Sequence, residues 1–455
     1  MILKHTILLL LPLHIITSQV KTCSTPSPDP CLPGGKYDSI TKSCTGYSSS
    51  SNCFACYSGA NCEVHDSTNS CTVSLTGGQP VMFEEYFELL EDAQVACTTT
   101  SEDYRNGYQF SESGTFPPLE EEIRKLHKNV GNAEIEGYEI VIGNGGTGVM
   151  NAILYAVASQ ASSSSASSPP SILVQAPFYT NYKNQVLSTY SNPNKHLIWD
   201  PSADPLSNST FEINTYPNNP TGQKRAPLVN HPSRVIYDCI YNWPQFTELD
   251  TTPLAGEIMT FSASKNTGHA GSRLGWALVR DPAIASLMRE FVQLSLGVSI
   301  DSQLRIMNVL NYINSQYEEE EEEEEEDSSH PSFYSWGKEK MSDRFDKVSA
   351  LFPNSQNITF SNAMTRGAYV WLQCPANIDC QQLLLSEASI EGNSGVNYGS
   401  TREFVRIQMM AREVEINDMV ARLARFLLDP SPRDFSPYSM MDREPRLNSK
   451  NQRGC

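Results

Sequence analysis

The sequence of 455 residues lacks long apolar runs and has a deficit of positive charge. After the first 20 residues, no segment approaches the ~20 uninterrupted apolar residues that cross a bilayer, so we expect no membrane-spanning helix. Acidic residues outnumber Lys and Arg by 52 to 33, and the formal net charge is −19. This imbalance argues against a nucleic-acid partner and against binding to anionic lipid. Cys53-x-x-Cys56 has no His pair at ligand spacing, which disfavours zinc, and we expect no metal site.

The first residues have the pattern of a targeting segment. A short apolar run at 7–13 follows Lys4 and precedes polar residues at 18–21, which is typical of a cleaved signal peptide at 1–20. The alternative, an apolar first helix of the fold, is disfavoured by Pro12 within the run. We therefore expect a secreted protein, or one held in the secretory pathway or a vacuole-like lumen. In that setting the sequons at Asn208 and Asn357 are expected glycosylation sites.

Residues 21–75 are rich in cysteine and poor in Leu, Ile and Val. Such a segment folds in an oxidising compartment through disulfides, whose connectivity cannot be read from spacing alone. The odd count leaves one thiol to pair elsewhere, and Cys97 is the nearest candidate. The cysteines are Cys23, Cys31, Cys44, Cys53, Cys56, Cys62 and Cys71.

The remainder of the chain changes pattern twice. Short apolar strands alternate with helices over 76–316, which predicts an α/β domain with a mainly parallel sheet. Residues 317–331 contain an unbroken glutamate run and are predicted to be a solvated acidic loop. A smaller α+β domain is expected at 332–430 and a disordered tail at 431–455. The expected strands of the first domain are Tyr138–Ile142, Ile172–Gln175, Val235–Tyr237, Ile258–Phe261 and Leu274–Val279.

A glycine-rich turn follows the first of these strands. Gly146, Thr147 and Gly148 stand where a helix is predicted to begin, and backbone N–H groups there can surround an anion. The turn lacks the Lys of a P-loop and the full dinucleotide spacing, so a simple tight turn explains it equally well.

An ordered set of polar side chains follows the later strands. Asn219 lies on a turn fixed by two prolines, Asp238 follows a strand with Tyr241 three residues on, and Lys265 follows another strand with Arg273 eight residues later. A lysine in this setting is partly desolvated and close to a cation and a phosphate, which makes its amine a nucleophile at neutral pH.

With this set of residues, the sequence resembles fold-type I enzymes that use pyridoxal 5′-phosphate (PLP). Among these enzymes it resembles the alliinase and tryptophan-aminotransferase-related group. The resemblance covers most of 53–428 and implies a large PLP-binding domain, a smaller carboxyl-terminal domain and an amino-terminal EGF-like module. The motifs that carry it are 56–62, 126–133, Ala176–Tyr179, Pro217–Pro220 and Ser264–Trp276.

The resemblance also implies cofactor roles for these residues. Lys265 forms the imine to PLP, and Asp238 pairs with the protonated ring nitrogen. Asn219 and Tyr241 bond the phenolic oxygen of the ring, and Tyr179 stacks on its face. Phosphate ligands are expected from Gly146, Thr147, Gly148, Ser262 and Arg273.

Other implied roles concern substrate, partner subunit and cross-link. Arg406 grips the substrate carboxylate, and Ser101 is expected near the substrate, although Glu102 departs from the Ser-Gly of alliinases. Tyr108 is expected to reach the phosphate of a second subunit in a homodimer. Cys374 and Cys380 stand where alliinases carry a disulfide.

The expected reaction is cleavage of S-substituted cysteine or its sulfoxide by β-elimination, which gives pyruvate and ammonia. The Cys-rich module and the Cys374–Cys380 pair favour this lyase over an aminotransferase for tryptophan-like amino acids, which is the main alternative. A second alternative is a non-catalytic protein that binds through its EGF-like module, and it predicts a damaged cofactor site.

Overall fold

The computed structural model describes residues 71–88, 114–163, 169–190, 197–322, 331–352, 358–360 and 366–428. It also gives the backbone of four short strands between 36 and 65. The predicted signal peptide, most of the Cys-rich module and the carboxyl tail lie outside the described residues. The same holds for Cys97, Ser101, Tyr108 and Asn357.

Strands and helices alternate through the middle of the chain, as the pattern predicts. The described strands are β1 (Lys36–Asp38), β2 (Ser43–Thr45), β3 (Tyr57–Ser58), β4 (Val64–His65), β5 (Val73–Ser74), β6 (Glu139–Asn144), β7 (Ser171–Leu173), β8 (Ile198–Trp199), β9 (Thr210–Thr215), β10 (Val235–Asp238), β11 (Ile258–Ser262), β12 (Leu274–Val279), β13 (Thr359–Phe360), β14 (Tyr369–Gln373), β15 (Ile390–Glu391), β16 (Asn393–Ser394) and β17 (Phe404–Gln408). The described α-helices are α1 (Phe83–Glu88), α2 (Pro117–Val130), α3 (Gly145–Ser163), α4 (Asn181–Gln185), α5 (Ala263–Asn266), α6 (Pro282–Gln293), α7 (Ile300–Glu322), α8 (Phe333–Ser349), α9 (Cys380–Ala388) and α10 (Glu413–Leu428).

Seven of the described strands form one large sheet in the order β6-β12-β11-β10-β9-β7-β8. Neighbours from β11 to β8 are parallel, whereas β12 is antiparallel to both β6 and β11. This is the mainly parallel sheet that the sequence predicts. The carboxyl ends of β6, β9, β10 and β11 therefore meet at one edge, which is where open α/β sheets place their ligands.

A smaller antiparallel sheet has the order β13-β14-β17-β16. Cys374, which follows β14, and Cys380, the first residue of α9, form a disulfide, as the resemblance implied. The pair β5 and β15 adds a parallel contact beside this sheet. Val73–Ser74 falls inside the predicted module of 21–75, yet it pairs with Ile390–Glu391, so the chain joins the carboxyl-terminal part earlier than the composition indicates.

Local sequence signals explain where helices begin and end. Pro117 opens α2, and Gly131 closes it with φ of 70° and an N–H bond to the carbonyl of His127. Leu119 and Ile123 lie on the buried stripe between these ends. None of the helices in the described ranges is long and apolar enough to cross a membrane.

The acidic run differs from its prediction. Helix α7 continues through Glu322, so the first glutamates are helical rather than part of a loop. Glutamate is a good helix former, and α7 is already fixed by the buried side chains of Ile306, Leu310 and Ile313. Extending an existing helix is easier than starting one, and the charge run did not reveal that a helix precedes it.

Candidate active site

A cavity of about 360 Å³ opens at the carboxyl edge of the large sheet and is also lined by residues of the smaller sheet. Its wall brings together most of the side chains that the sequence predicts for the site, although they come from separate elements. The predicted residues in the wall are Gly146, Thr147, Tyr179, Asn219, Asp238, Tyr241, Ser262, Lys265, Arg273 and Arg406.

One end of the cavity is built by the start of α3. This helix begins directly after β6, and Gly146 and Thr147 line the cavity in its first turn. The N–H groups of a first helical turn have no partner within the helix and favour an anion. Gly148 lies in the same turn but not in the wall, and a Cβ there would meet the Cβ of Asn144 at 3.1 Å.

Arg273 supplies a cation at this end. It adopts a left-handed φ of 51° just before β12, and its guanidinium donates to the carbonyl of Ala270 at 3.1 Å. A Cβ on Gly145 would lie 2.8 Å from the Cζ atom of Arg273, so the missing side chain leaves room for the guanidinium at the helix start. The helix end and the planar fork together suit a phosphate group.

Two serines hold the turn that carries Lys265. The Oγ atom of Ser262 accepts a hydrogen bond from the N–H of Ser264 at 3.1 Å and caps α5. The hydroxyl of Ser264 is buried in the cavity wall and has no hydrogen-bond partner among the described residues. A buried hydroxyl without a partner is costly, and an anion in the cavity would satisfy it.

Lys265 projects from α5 into the middle of the cavity. Its Nζ atom donates to the carbonyl of Gly78. Burial lowers the pKa of Lys265, and the nearby charges of Arg406 and Arg273 lower it further, against the opposing effects of Tyr369 and Asp238. A lowered pKa leaves more of the amine neutral and therefore nucleophilic.

Asp238 ends β10 and is held by three donors. Its carboxylate accepts hydrogen bonds from the hydroxyl of Tyr182, from the hydroxyl of Thr260 at 3.3 Å and from the N–H of Ile240 at 3.3 Å. Burial raises the pKa of Asp238, while these hydrogen bonds and Lys265 oppose the shift. A protonated ring nitrogen in the cavity would, like these hydrogen bonds, favour the charged carboxylate and so lower the pKa of Asp238.

Tyr182 was not predicted from the sequence. Its single proton goes to the carboxylate of Asp238, so the hydroxyl of Thr215 must be the donor in the 2.9 Å contact with Tyr182. Burial raises the pKa of Tyr182 well above its ordinary value, with Asp238 adding to the effect, and the phenol remains a donor. The available signal was its position three residues after the predicted Tyr179.

Three tyrosines form the wall beside Lys265. The hydroxyls of Tyr241 and Tyr369 share a hydrogen bond of 2.6 Å, and both side chains are buried. Burial raises the pKa of Tyr241 well above its ordinary value, with Tyr369 adding to the rise. Tyr179 lines the cavity with 39% of its surface exposed. This tyrosine is therefore open to stacking on a ring that enters the cavity.

Arg406 projects from β17 into the cavity, and its surroundings, where the sequence predicts the substrate carboxylate, are called the substrate end. Its guanidinium donates to the Oδ1 atom of Asn219 at 3.1 Å and to the carbonyls of Thr76 and Gly77, each at 2.9 Å. Because arginine only donates, the carbonyl oxygen of Asn219 faces Arg406 and its amide N–H groups stay available to the cavity. The Nε atom of Arg406 is buried without a hydrogen-bond partner in the described chain, which leaves a donor for a carboxylate.

The substrate end also contains a segment that sequence reasoning missed. Thr76, Gly77 and Gly78 place three carbonyls against Arg406 and Lys265. Ser101, predicted for this end, lies outside the described residues, as does Tyr108. The paired glycines at 77 and 78 were the available signal, because a close backbone approach often requires glycine.

The donor set fits PLP. A helix start, Arg273 and two serine hydroxyls suit the phosphate, Asp238 suits a protonated ring nitrogen, and the amine of Lys265 suits an aldehyde. Among the described residues no cluster of His, Cys, Asp or Glu has the arrangement of a metal site. Asn208, a predicted glycosylation site, is exposed on a turn away from this cavity.

Comparisons with known proteins find a family model and several relatives that are similar to this chain. The family model for Alliinase_C, described as Allinase, matches residues 73–427. Tryptophan aminotransferase-related protein 2 of Oryza sativa subsp. japonica is 33% identical over 383 residues, which are 78% of this chain and 74% of that protein. Alliin lyase of Allium cepa var. aggregatum is 25% identical over 390 residues, 81% of this chain and 84% of that protein.

Solved structures give the same fold. An aminotransferase from Staphylococcus aureus has a TM-score of 0.54 at 18% identity, and the match covers 78% of this chain and 94% of that one. A tyrosine aminotransferase from Leishmania infantum has a TM-score of 0.55 at 17% identity, with 78% and 91% coverage. At these identities the likeness establishes the fold, which is that of the PLP-dependent aminotransferases of fold type I.

Proposed function

Because the chain belongs to the alliinase family, we propose that it is a PLP-dependent carbon–sulfur lyase that cleaves S-substituted cysteine or its sulfoxide. The observation that carries this function is one cavity that holds the Lys265 amine, the Asp238 carboxylate and the Arg406 guanidinium. PLP chemistry on an amino acid requires three kinds of side chain. They are an amine for the aldehyde, an acid for the ring nitrogen and a cation that binds the substrate carboxylate.

The proposed role of each residue follows from its position in the cavity. Gly146, Thr147, Ser262 and Arg273 would hold the cofactor phosphate, while Asp238, Asn219, Tyr241 and Tyr179 would hold its ring. Bound PLP supplies an aldehyde that links to amines and a ring that accepts an electron pair from the substrate. Arg406 would bind the substrate carboxylate and so place the substrate Cα beside Lys265.

Lys265 then acts as the base. With PLP and substrate bound, the Nζ atom of Lys265 would remove the proton from Cα. The overall reaction would break the bond between Cβ and sulfur, the sulfur group would leave with the electron pair and take up a proton, and one water would be consumed in giving pyruvate and ammonia. The lowered pKa of Lys265 supports this role, because a neutral amine is the form that accepts a proton.

Support for the lyase over other reactions comes from the Cys374–Cys380 disulfide and the Cys-rich amino-terminal segment, both of which resemble alliinases. A second candidate is an aminotransferase for tryptophan-like amino acids. It is favoured by identity, which is 28–33% to tryptophan aminotransferase-related proteins and 25% to alliin lyases. Both reactions use the same Cα proton removal, so the substrate decides between them.

One assay separates the two candidates. The purified protein is supplied with PLP and tested for pyruvate release from an S-alkyl-cysteine sulfoxide and, separately, for amino transfer from tryptophan to a 2-oxo acid. The lyase is supported if pyruvate forms without an added 2-oxo acid. Amino transfer without pyruvate release would overturn the lyase in favour of the second candidate, and neither activity would overturn both.

We also propose how the enzyme is targeted, modified and assembled. Residues 1–20 would direct the chain to the secretory pathway, 21–75 would form an EGF-like module, and Asn208 and Asn357 would carry glycans. The enzyme would be a homodimer in which Tyr108 reaches the phosphate of the neighbouring subunit. Enzymatic removal of N-glycans followed by light scattering would test both features, with a loss of mass and a dimer as the expected results.

A further inference from the structure

We propose that Tyr369 is a positioning residue that joins two parts of the site, the grip of Arg406 on the substrate carboxylate and the hydrogen bond of Tyr241 to the cofactor ring. Tyr369 takes this role only if the proposed function holds, since the roles of Arg406 and Tyr241 come from it. The residue was not predicted from the sequence for the site, and it is the first residue of β14.

The ring of Tyr369 supports Arg406 from one side. The Cζ atom of Arg406 lies 3.9 Å from the ring centroid of Tyr369 and 4.9 Å from that of Tyr398. Arg406 is 5% exposed, so this contact is largely desolvated, and cation–π attraction is strongest in that condition. The two aromatic faces hold the plane of the guanidinium, and therefore the direction of the Nε atom that remains without a partner.

The strand register explains how Tyr369 reaches this place. In the antiparallel pair of β14 and β17, Trp371 lies opposite Arg406 and Tyr369 lies opposite Gln408. Residues directly opposite share a face, and so do residues two apart in one strand. Tyr369, Trp371 and Arg406 therefore project from the same face of the smaller sheet, and Tyr369 and Arg406 line the cavity.

The hydroxyl of Tyr369 performs the second task. It lies 2.6 Å from the hydroxyl of Tyr241, and each phenol has one proton to give. When Tyr241 donates to the phenolic oxygen of the cofactor ring, Tyr369 must be the donor to Tyr241. The two hydroxyls then form a donor chain, in which each hydrogen bond strengthens the next.

The surrounding backbone fixes this hydroxyl. A Cβ on Gly78 would lie 2.6 Å from the Tyr369 hydroxyl and 3.6 Å from the Nζ atom of Lys265. Only a glycine lets the backbone of Thr76–Gly78 pass between these groups. Tyr369 thus contacts Arg406 through its ring and Tyr241 through its hydroxyl.

Two substitutions separate the two tasks. Tyr369→Phe keeps the ring under Arg406 and removes the hydroxyl, so the donor chain to the ring oxygen is shortened. The negative charge on the ring oxygen is then less stabilised. The Lys265 nitrogen that bonds to PLP therefore keeps its proton up to a higher pH. The pH midpoint of the visible absorbance band of the holoenzyme should rise by about half to one pH unit. KM should change little.

Tyr369→Leu removes both the ring and the hydroxyl. The band midpoint should rise as in the Phe variant, and in addition the grip on carboxylates should weaken. We expect the dissociation constants of 3-(methylthio)propionate and 3-indolepropionate, followed through the cofactor band, to rise about tenfold in the Leu variant and less than about twofold in the Phe variant. These two acids lack the amino group, so they bind without reaction and represent both candidate substrate classes.

Tyr138→Phe is the matched control, because Tyr138 is a buried tyrosine whose hydroxyl donates to the carbonyl of Gly256 and does not line the cavity. It should change neither the midpoint nor the two affinities. An unchanged midpoint in both Tyr369 variants, or equal affinity losses in both, would overturn the role of Tyr369. A wild-type protein without any cofactor band would instead overturn the proposed function.

Discussion

The two ends of the cavity are built in different ways. At the cofactor end, Asp238 ends β10 and Lys265 follows β11, and these two strands are parallel neighbours. Two hydrogen-bond partners of Asp238 are close to it in the chain, since Ile240 is two residues away and Thr260 is 22 residues away. At the substrate end, Arg406 contacts Asn219 across 187 residues and Thr76 across 330 residues. Asp238 and Lys265 are therefore placed mainly by neighbouring strands of the large sheet, whereas the substrate end exists only when the two sheets and the amino-terminal segment come together.

Because of this difference, substitutions at the two ends of the cavity are expected to have different effects. A residue at a strand end inherits its place from the register of the large sheet, so a substitution there changes chemistry more than geometry. A residue such as Arg406 depends on contacts from three distant segments, so a substitution there is expected to change substrate binding first.

The largest effect is expected at Lys265, the centre shared by both ends. Lys265→Ala removes the amine that removes the Cα proton, and turnover should fall by at least about 10³-fold while the fold remains intact. Turnover and circular dichroism of the PLP-loaded protein measure the two quantities. Lys128→Ala, at an exposed lysine of α2, is the control and should keep full activity. Retention of more than a tenth of wild-type turnover in Lys265→Ala would contradict its role.

A smaller effect is expected when the substrate end is altered alone. Arg406→Lys keeps the positive charge but loses the planar fork and the bond to Asn219, and kcat/KM should fall about 100-fold, mainly through KM. Steady-state kinetics checks the split. Arg425→Lys, at an exposed arginine of α10, should be neutral. If kcat fell and KM stayed constant, Arg406 would act on the chemical step and not on binding.

The cofactor end is tested alone by Tyr182→Phe. The carboxylate of Asp238 loses one donor, so burial raises its pKa further, and the neutral acid pairs poorly with a protonated ring nitrogen. We expect about tenfold weaker PLP binding, measured by titrating cofactor into the apoprotein, with substrate KM unchanged. Thr215→Val should give a smaller loss, because Thr215 acts through Tyr182. Equal PLP affinity in Tyr182→Phe and wild type would rule out this role.

The smallest effect concerns an ion cluster between α8 and the first residue of α10. Glu413 accepts from Arg344 at 3.0 Å and lies 3.3 Å from both Lys340 and Lys347. Burial alone would raise the pKa of Glu413, but Arg344 and Lys340 outweigh it and lower the pKa to about 2. Because the folded pKa lies below the unfolded value of about 4.3, the stabilisation is present at neutral pH and is lost as pH falls from about 5 toward 2.

Glu413→Gln tests this cluster. It should lower the free energy of unfolding by about 1–2 kcal/mol at pH 7, and the difference from wild type should shrink as the pH falls through 4. Denaturant unfolding at several pH values measures it. Glu391→Gln, for which no ion pair is seen among the described residues, serves as the control. A difference that grows on acidification would mean that Glu413 is not stabilised as a carboxylate.

The sequence was sufficient wherever a strand is uniformly apolar or a motif is short. Leu274–Val279 was placed residue for residue because all six side chains are buried. Thr210–Thr215 was missed because Glu212 and Asn214 interrupt its apolar pattern. The structure shows why they are tolerated, since the fully buried carboxylate of Glu212 accepts N–H bonds from Leu228 and Val229.

The site follows the same rule. The strand-end residues Asn219, Asp238 and Lys265 were identified from local motifs, and the structure brings them into one cavity. Tyr369 and Thr76–Gly78 were missed, because no local pattern encodes their contacts, which are made with Tyr241 across 128 residues and with Arg406 across 330 residues. Tyr182 was within reach, since its spacing from Tyr179 is local.

The proposed function depends on a covalent bond between the amine of Lys265 and PLP. It is tested most directly by reduction of the yellow holoenzyme with borohydride, followed by proteolysis and mass spectrometry of the labelled peptide. We expect bleaching of the visible band and a single pyridoxyl adduct on Lys265. An adduct on another lysine, or a protein that binds no PLP, would contradict it.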